Sequence, residues 1–184
     1  MTDKATGTAG KNPIVTMVIK DFGTVTAELY PQEAPITVSN FVTLAGSGYY
    51  DGLIFHRVID GFMIQGGDKT GTGSGQTSYT IRGEFAANGI KNSLKHIPGV
   101  LSMARTRAMN SACSQFFICV ADADWLDGQY AAFGRVTSGM DVVNSISKVR
   151  TNMYDRPLSD VVIESVKVET FGTDYSGYEK IQAR

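Results

Sequence analysis

The chain has only two cysteines, Cys113 and Cys119, in 184 residues. Two thiols cannot build a disulfide framework, so the fold must rest on a buried core, and both cysteines are expected to be reduced. An excess of charge of either sign is also missing. Seventeen Lys and Arg stand against eighteen Asp and Glu, with no basic run longer than a pair. That balance argues against capture of nucleic acid or an anionic membrane, which needs a basic patch to release counterions. No segment approaches the roughly 18 consecutive apolar residues of a membrane helix. The opening MTDKATGTAGKN lacks the apolar region of a signal peptide, so a cytoplasmic protein is expected. Histidine is scarce as well. His56 and His96 are the only two, and neither stands in a His/Cys spacing that closes on a metal, so no metal or cofactor is expected.

What is present is ordinary globular material. Apolar residues make up 42% and charged residues 19% of the chain, enough for one domain with one core. Residues 1–12 are rich in Thr, Gly, Lys and Asn and are expected to form a disordered tail. The domain should run over 13–171, followed by a polar extension, 172–184, to which the pattern assigns no role. IVTMVIK (14–20) and TVTAELY (24–30), split by the turn DFG, predict an antiparallel hairpin. Further strand-like runs stand at 53–57, 62–66, 99–104, 115–120, 131–136 and 160–169. The period changes at 34–48, where Val38, Phe41, Val42 and Ala45 fall at helical spacing behind Pro35, and again at 138–149. Eight short strands and two helices predict an all-β barrel or sandwich whose ends the helices plug.

Several chemistries can be set aside. GGDKTGTGSG (66–75) lacks the GK[ST] ending and the following helix of a phosphate loop, which leaves a flexible surface loop. Cys113, in NSACSQ, carries no nucleophile signature. Glu84, Asp122 and Asp124 sit in turn-like contexts and are expected to be solvated acids rather than a catalytic pair. The outward face of the strands is more informative. In QFFICV, Phe116, Ile118 and Val120 alternate with Gln115, Phe117 and Cys119, so one face is core and the other pairs a glutamine with a large aromatic. FMIQG repeats this with Met63 and Gln65. Trp125 and Leu126 add large apolar groups in a turn-rich segment. Either these side chains form a second buried layer, or they border an apolar pocket. Arg57 accordingly faces solvent, a charged partner or a ligand.

FHRVIDGFMIQGGD, then GVLSMAR, then SQFFICVADADWLDGQYAAFGRV, in this order and spacing, resemble the cyclophilin family of peptidyl-prolyl cis/trans isomerases over about residues 14–170. The resemblance implies an all-β fold, an eight-stranded antiparallel closed barrel capped by two α-helices. It implies an enzyme that accelerates rotation about X-Pro bonds without a cofactor. On this likeness Arg57, Gln65 and Phe117 are the catalytic set. Phe62, Met63, Ala104, Arg105, Thr106, Gln115, Trp125, Leu126 and Tyr130 bind the substrate. The expected partners are proline-containing peptides and proteins, and cyclosporin through Trp125, met by a monomer. Four positions depart from the more familiar pattern. Asp60 replaces a proline, Arg105 an asparagine that acts largely through its backbone, and Thr106 a small apolar residue, while Tyr130 replaces a histidine, as in bacterial members. Two rivals remain: a non-catalytic module on the same barrel that holds proline segments, which the intact Arg57, Phe62, Gln65 and Phe117 disfavour, and a carbohydrate-binding β-barrel with an exposed tryptophan, which fits the composition but not the motif order.

Overall fold

Alternation of β-branched and polar residues sets the first hairpin: β1 (Ile14–Ile19) buries every second side chain, Val15, Met17 and Ile19, and β2 (Gly23–Leu29) answers with Val25, Ala27 and Leu29. The structure is a computed structural model and describes residues 10–75 and 77–182. The tail expected over 1–12 lies outside the described residues up to position 9. Asn12 is anchored, its Nδ2 donating to Glu28 Oε1 at 2.9 Å.

After α1 (Pro35–Gly46) come the short strands β3 (Arg57–Ile59), β4 (Met63–Gly66) and β5 (Tyr79–Thr80). Then follow β6 (Val100–Met103), β7 (Phe116–Cys119), β8 (Ala132–Ser138), α2 (Met140–Ser147), β9 (Ile163–Glu169) and β10 (Ile181–Gln182). Eight of the strands form one antiparallel sheet in the order β3-β4-β7-β6-β8-β2-β1-β9. The closed barrel expected above is corrected to an open half-barrel, because the edge strands β3 and β9 share no ladder. The reason is local. The strand expected at 53–57 does not form as one piece: Ile54 makes a single bridge to Val162, with Phe55 N–H donating to the Val161 carbonyl, before the chain bends into a β3 only three residues long.

The sheet curls around one core. Phe41 of α1 packs at 5.0 to 5.4 Å from Tyr50, Phe116 and Phe133, in stacked, edge and tilted arrangements respectively. Each such ring contributes roughly 1.5 to 3 kcal/mol of burial. α2 lies against β2, β3 and β4. Asp60, in the turn between β3 and β4, accepts from Lys148 Nζ just past α2 at 2.7 and 2.9 Å. The carboxylate thus ties the turn to the helix where a proline would stiffen it.

Two further corrections concern polar residues. Glu84, expected to be solvated, is buried and accepts from Ile36 N–H (3.0 Å), Thr37 N–H (2.8 Å) and Thr37 Oγ1 (2.7 Å). It caps an α1 that has no side-chain cap of its own, placing a negative group where open N–H donors gather. The glycine-rich loop is surface chain, but it is organised. Asp68, itself buried, accepts from the backbone N–H groups of Thr70, Gly73 and Gly75. The extension after Phe171 also finds a place. β10 pairs with β5, and the Tyr178 and Tyr79 hydroxyls both donate to Asn40 Oδ1 of α1.

Candidate active site

The register of three strands assembles the site. β3 sets Arg57 opposite Gln65, and β4 sets Gln65 opposite Phe117 and Met63 opposite Cys119. With a side-chain period of two, Met63 and Gln65 share the face of Phe117 and Cys119, away from the main core. On that face Met63, Phe117, Cys119, Ala123 and Leu126 form a second buried cluster, with Phe62, Ala104 and Tyr130 half-buried at its edge. Both sequence alternatives hold in part. The residues are a second layer, and that layer is the floor of a cavity of about 190 Å³ lined by Arg57, Phe62, Met63, Gln65, Ala104, Arg105, Phe117, Leu126 and Tyr130. Every residue of that lining was anticipated from the resemblance.

The remaining expected residues fall elsewhere. Gln115 and Thr106 line a neighbouring cavity of about 280 Å³, which shares Gln65, Ala104 and Arg105 with the first and adds Gly73, Gly75, Ser111 and Cys113 among others. Trp125 lines neither. It is 61% exposed and leans on Phe62 with ring centroids 5.5 Å apart. A third cavity, of about 410 Å³, meets the first at Arg57 and Gln65.

Polar contacts separate committed from uncommitted groups. Gln115 Nε2 donates to the Gly73 and Gly75 carbonyls at 3.0 and 3.1 Å, which leaves its Oε1 to accept from Gln65 Nε2 at 3.0 Å. Among the described residues Gln65 makes no side-chain hydrogen bond to Arg57. Its Oε1 and second N–H have no partner among the described residues. Arg105 is a strut. Its guanidinium donates to the Gln129 and Thr106 carbonyls and lies 4.6 Å over the Tyr130 ring and 5.0 Å over Phe85. Arg57 is the contrast. Its guanidinium is exposed and has no hydrogen-bond or ion-pair partner among the described residues.

Support from below includes groups that sequence reasoning missed. His96 stacks on Phe117 at 6.1 Å, its Nδ1 lies 3.0 Å from Asp127 Oδ1 and its Nε2 2.9 Å from Ser102 Oγ. Burial holds its pKa below the usual histidine value, against the opposing pull of Asp127. The neutral ring therefore donates through Nδ1 to the carboxylate and accepts from Ser102. No local pattern marks these residues, because each acts through a partner distant in sequence. Among the described residues no group of three or more His, Cys, Asp or Glu could hold a metal ion.

Comparison with known proteins agrees with this geometry. The family described as "Cyclophilin type peptidyl-prolyl cis-trans isomerase/CLD" matches residues 14–168. A peptidyl-prolyl cis-trans isomerase-like 1 of Emericella nidulans is 48% identical over 153 residues, covering 83% of this chain and 93% of its own. The isomerase ppi1 of Schizosaccharomyces pombe is 49% identical over 142 residues, covering 77% and 90%. These relatives are eukaryotic and give no support to the bacterial likeness inferred from Tyr130. A crystal structure of a Cryptosporidium parvum cyclophilin type isomerase superposes with a TM-score of 0.79 at 32% identity, over 86% of this chain and 98% of that one. The same protein in the presence of the dipeptide Ala-Pro gives 0.77.

Proposed function

The chain belongs to the cyclophilin-type peptidyl-prolyl cis-trans isomerase family, and from that premise we propose that its isomerase activity runs on the face shared by β3, β4 and β7, with Arg57 as the catalytic group. An X-Pro amide interconverts slowly because resonance sets a barrier of about 18 to 20 kcal/mol. No covalent bond is made or broken, so the catalyst must bind the twisted amide better than either planar isomer. Twisting localises the lone pair on the proline nitrogen. A guanidinium stays charged across the physiological range and offers fixed donors, so one held beside that nitrogen or the adjoining carbonyl stabilises the twisted form.

The observation that carries this reading is the Arg57 guanidinium, without a partner among the described residues, on the wall of a cavity floored by Met63, Phe117 and Leu126. An apolar floor holds the proline ring while the residue before it rotates. Gln65 Oε1 and N–H are placed to bind the peptide backbone, and Gln115 keeps that amide oriented. Phe62 and Trp125 form an aromatic rim suited to cyclosporin. One chain supplies every group of the site, which fits a monomer.

The test is Arg57→Ala on a short X-Pro peptide. We expect turnover to drop about a hundredfold, the scale of losing one preorganised donor, with the melting transition unchanged because the Arg57 side chain is exposed and makes no hydrogen bond or ion pair among the described residues. Turnover within a factor of a few of the parent would overturn the assignment.

A further inference from the structure

The cavity of about 410 Å³ on the far side of Arg57 is larger than the apolar one and different in chemistry. The two meet at Arg57 and Gln65, so a peptide whose proline fills the first has a neighbouring side chain within reach of the second. Its lining offers donors in excess. Asn152 Oδ1 already accepts from Tyr154 N–H (2.8 Å) and Arg156 N–H (3.2 Å), which leaves Nδ2 as the side chain's open group. Arg156 is held as a fixed cation by donating to the Gly71 carbonyl, and its other nitrogen reaches Asp160 at 3.3 Å. Arg57 contributes a guanidinium without a partner among the described residues. His56 is buried along the same wall, and its Nδ1 is a buried side-chain atom without a partner among the described residues.

Acceptors are few. Among the described residues no carboxylate lines the cavity. Asp160 is an exposed ion-pair partner outside it, and Asp68, behind the loop, spends its oxygens on Thr70, Gly73 and Gly75. The chain as a whole carries a net charge of only −1, so this positive, donor-rich hollow is local.

We propose that this cavity is a subsite for an anionic side chain of the client, a carboxylate or a phosphoryl group one or two residues from the X-Pro bond. The inference rests on the isomerase reading and adds a substrate preference to it. Arg156 and Asn152 supply the specificity, and the aromatic ring of Tyr154 and the Thr72 side chain complete the lining. A fixed guanidinium suits both anions, since its parallel donors match the oxygens of either.

The test is kinetic. Peptides carrying Ala, Gln, Glu or phosphoserine at each of the two positions before and after the X-Pro pair are compared by exchange NMR. At one position Glu should lower KM about fivefold relative to Gln, the scale of one partly exposed charge pair, and the gain should shrink at high salt. Phosphoserine surpassing Glu there would identify the phosphoryl group as the preferred form, and parity would identify the carboxylate. Asn152→Asp keeps both loop hydrogen bonds, because a carboxylate oxygen can accept them, yet puts a negative charge in the hollow. It should abolish or invert the Glu-to-Gln ratio while kcat for the Gln peptide falls less than KM for the Glu peptide rises. The salt comparison needs no variant, so a misfolded Asn152→Asp protein leaves the proposal open to refutation. Equal KM for Glu and Gln at all positions at low salt, with the Ala peptide still turned over, sinks the subsite and spares the isomerase. Failure to turn over any peptide sinks both.

Discussion

Glu84 is the residue whose removal tests how this fold is held together. Pro35 opens α1 and has no N–H, and Val38 N–H already donates to the Ala34 carbonyl. The open backbone donors of the first turn are therefore Ile36 and Thr37, and Glu84 accepts from both, as well as from the Thr37 hydroxyl. Glu84 is 1% exposed, so Glu84→Ala strands those donors away from bulk water. Hydrogen bonds to a charged group contribute about 1.5 to 3 kcal/mol each, and an unsatisfied buried donor costs about 1 to 3 kcal/mol. Water entering the vacated space recovers part of this. We expect a net loss of about 3 to 5 kcal/mol, or about 6 to 15 °C in Tm at this chain length. Glu84→Gln retains one oxygen acceptor and should lose about half as much.

Urea unfolding followed by Trp125 fluorescence measures the loss, with the m value checked for an unchanged unfolding transition. A Glu84→Ala protein within about 0.5 kcal/mol of the parent would show that the helix end is satisfied otherwise. The consequence reaches the site, because Phe85 follows directly and its ring lies under the Arg105 guanidinium that walls the apolar cavity.

Two other predictions concern pH and ligand. Burial holds the pKa values of His56 and His96 below the ordinary value near 6.5, with Asp68 and Asp127 pulling the other way. A depressed folded value means the stability is full above that ordinary value and is lost as pH falls through the lower folded values. The urea midpoint should therefore drop between about pH 7 and about pH 5, and drop less in His56→Gln; a flat profile would contradict the buried neutral rings. Cyclosporin should quench or shift Trp125 emission and raise Tm, since Trp125 leans on Phe62 at the cavity rim. Saturating cyclosporin that moves neither signal counts against a formed drug site.

Legibility in the sequence followed distance along the chain. Arg57, Phe62, Met63 and Gln65 lie within nine consecutive positions, and strand alternation alone turns Phe117 toward them. The site's floor could therefore be written down from pattern and resemblance. Glu84 could not, because its meaning depends on a helix start 47 residues away, and a turn-like local context says only that an acid is tolerated. Asp68 escaped for a related reason. A Gly- and Thr-rich loop looks flexible until a buried carboxylate gathers its N–H groups. Barrel closure failed differently. It depends on whether two edge strands are long enough to meet, and β3 stops after three residues. The extension after Phe171 has no apolar period to find, yet the Tyr178 hydroxyl reaches Asn40, whose Nδ2 donates to the Cys113 carbonyl beside the 280 Å³ cavity. A single tyrosine among polar neighbours carries that contact.

The titratable groups around the cavity are engaged in holding the structure together. His96 is bonded at both nitrogens beneath Phe117. The Cys119 thiol is buried and pushed up to about 12, so it is no nucleophile near neutral pH. Asp68 and Asp127 are occupied by backbone donors. The fixed charge left facing the apolar cavity without a partner among the described residues is Arg57. On the proposed mechanism amide rotation needs only that. A proton donor poised near neutrality would be protonated in some molecules and not in others, whereas a guanidinium presents the same charge throughout the physiological range. Its exposure fits the same demand, because the scissionless reaction takes place within a continuing chain, and an enclosed cavity could not admit residues on both sides of the proline.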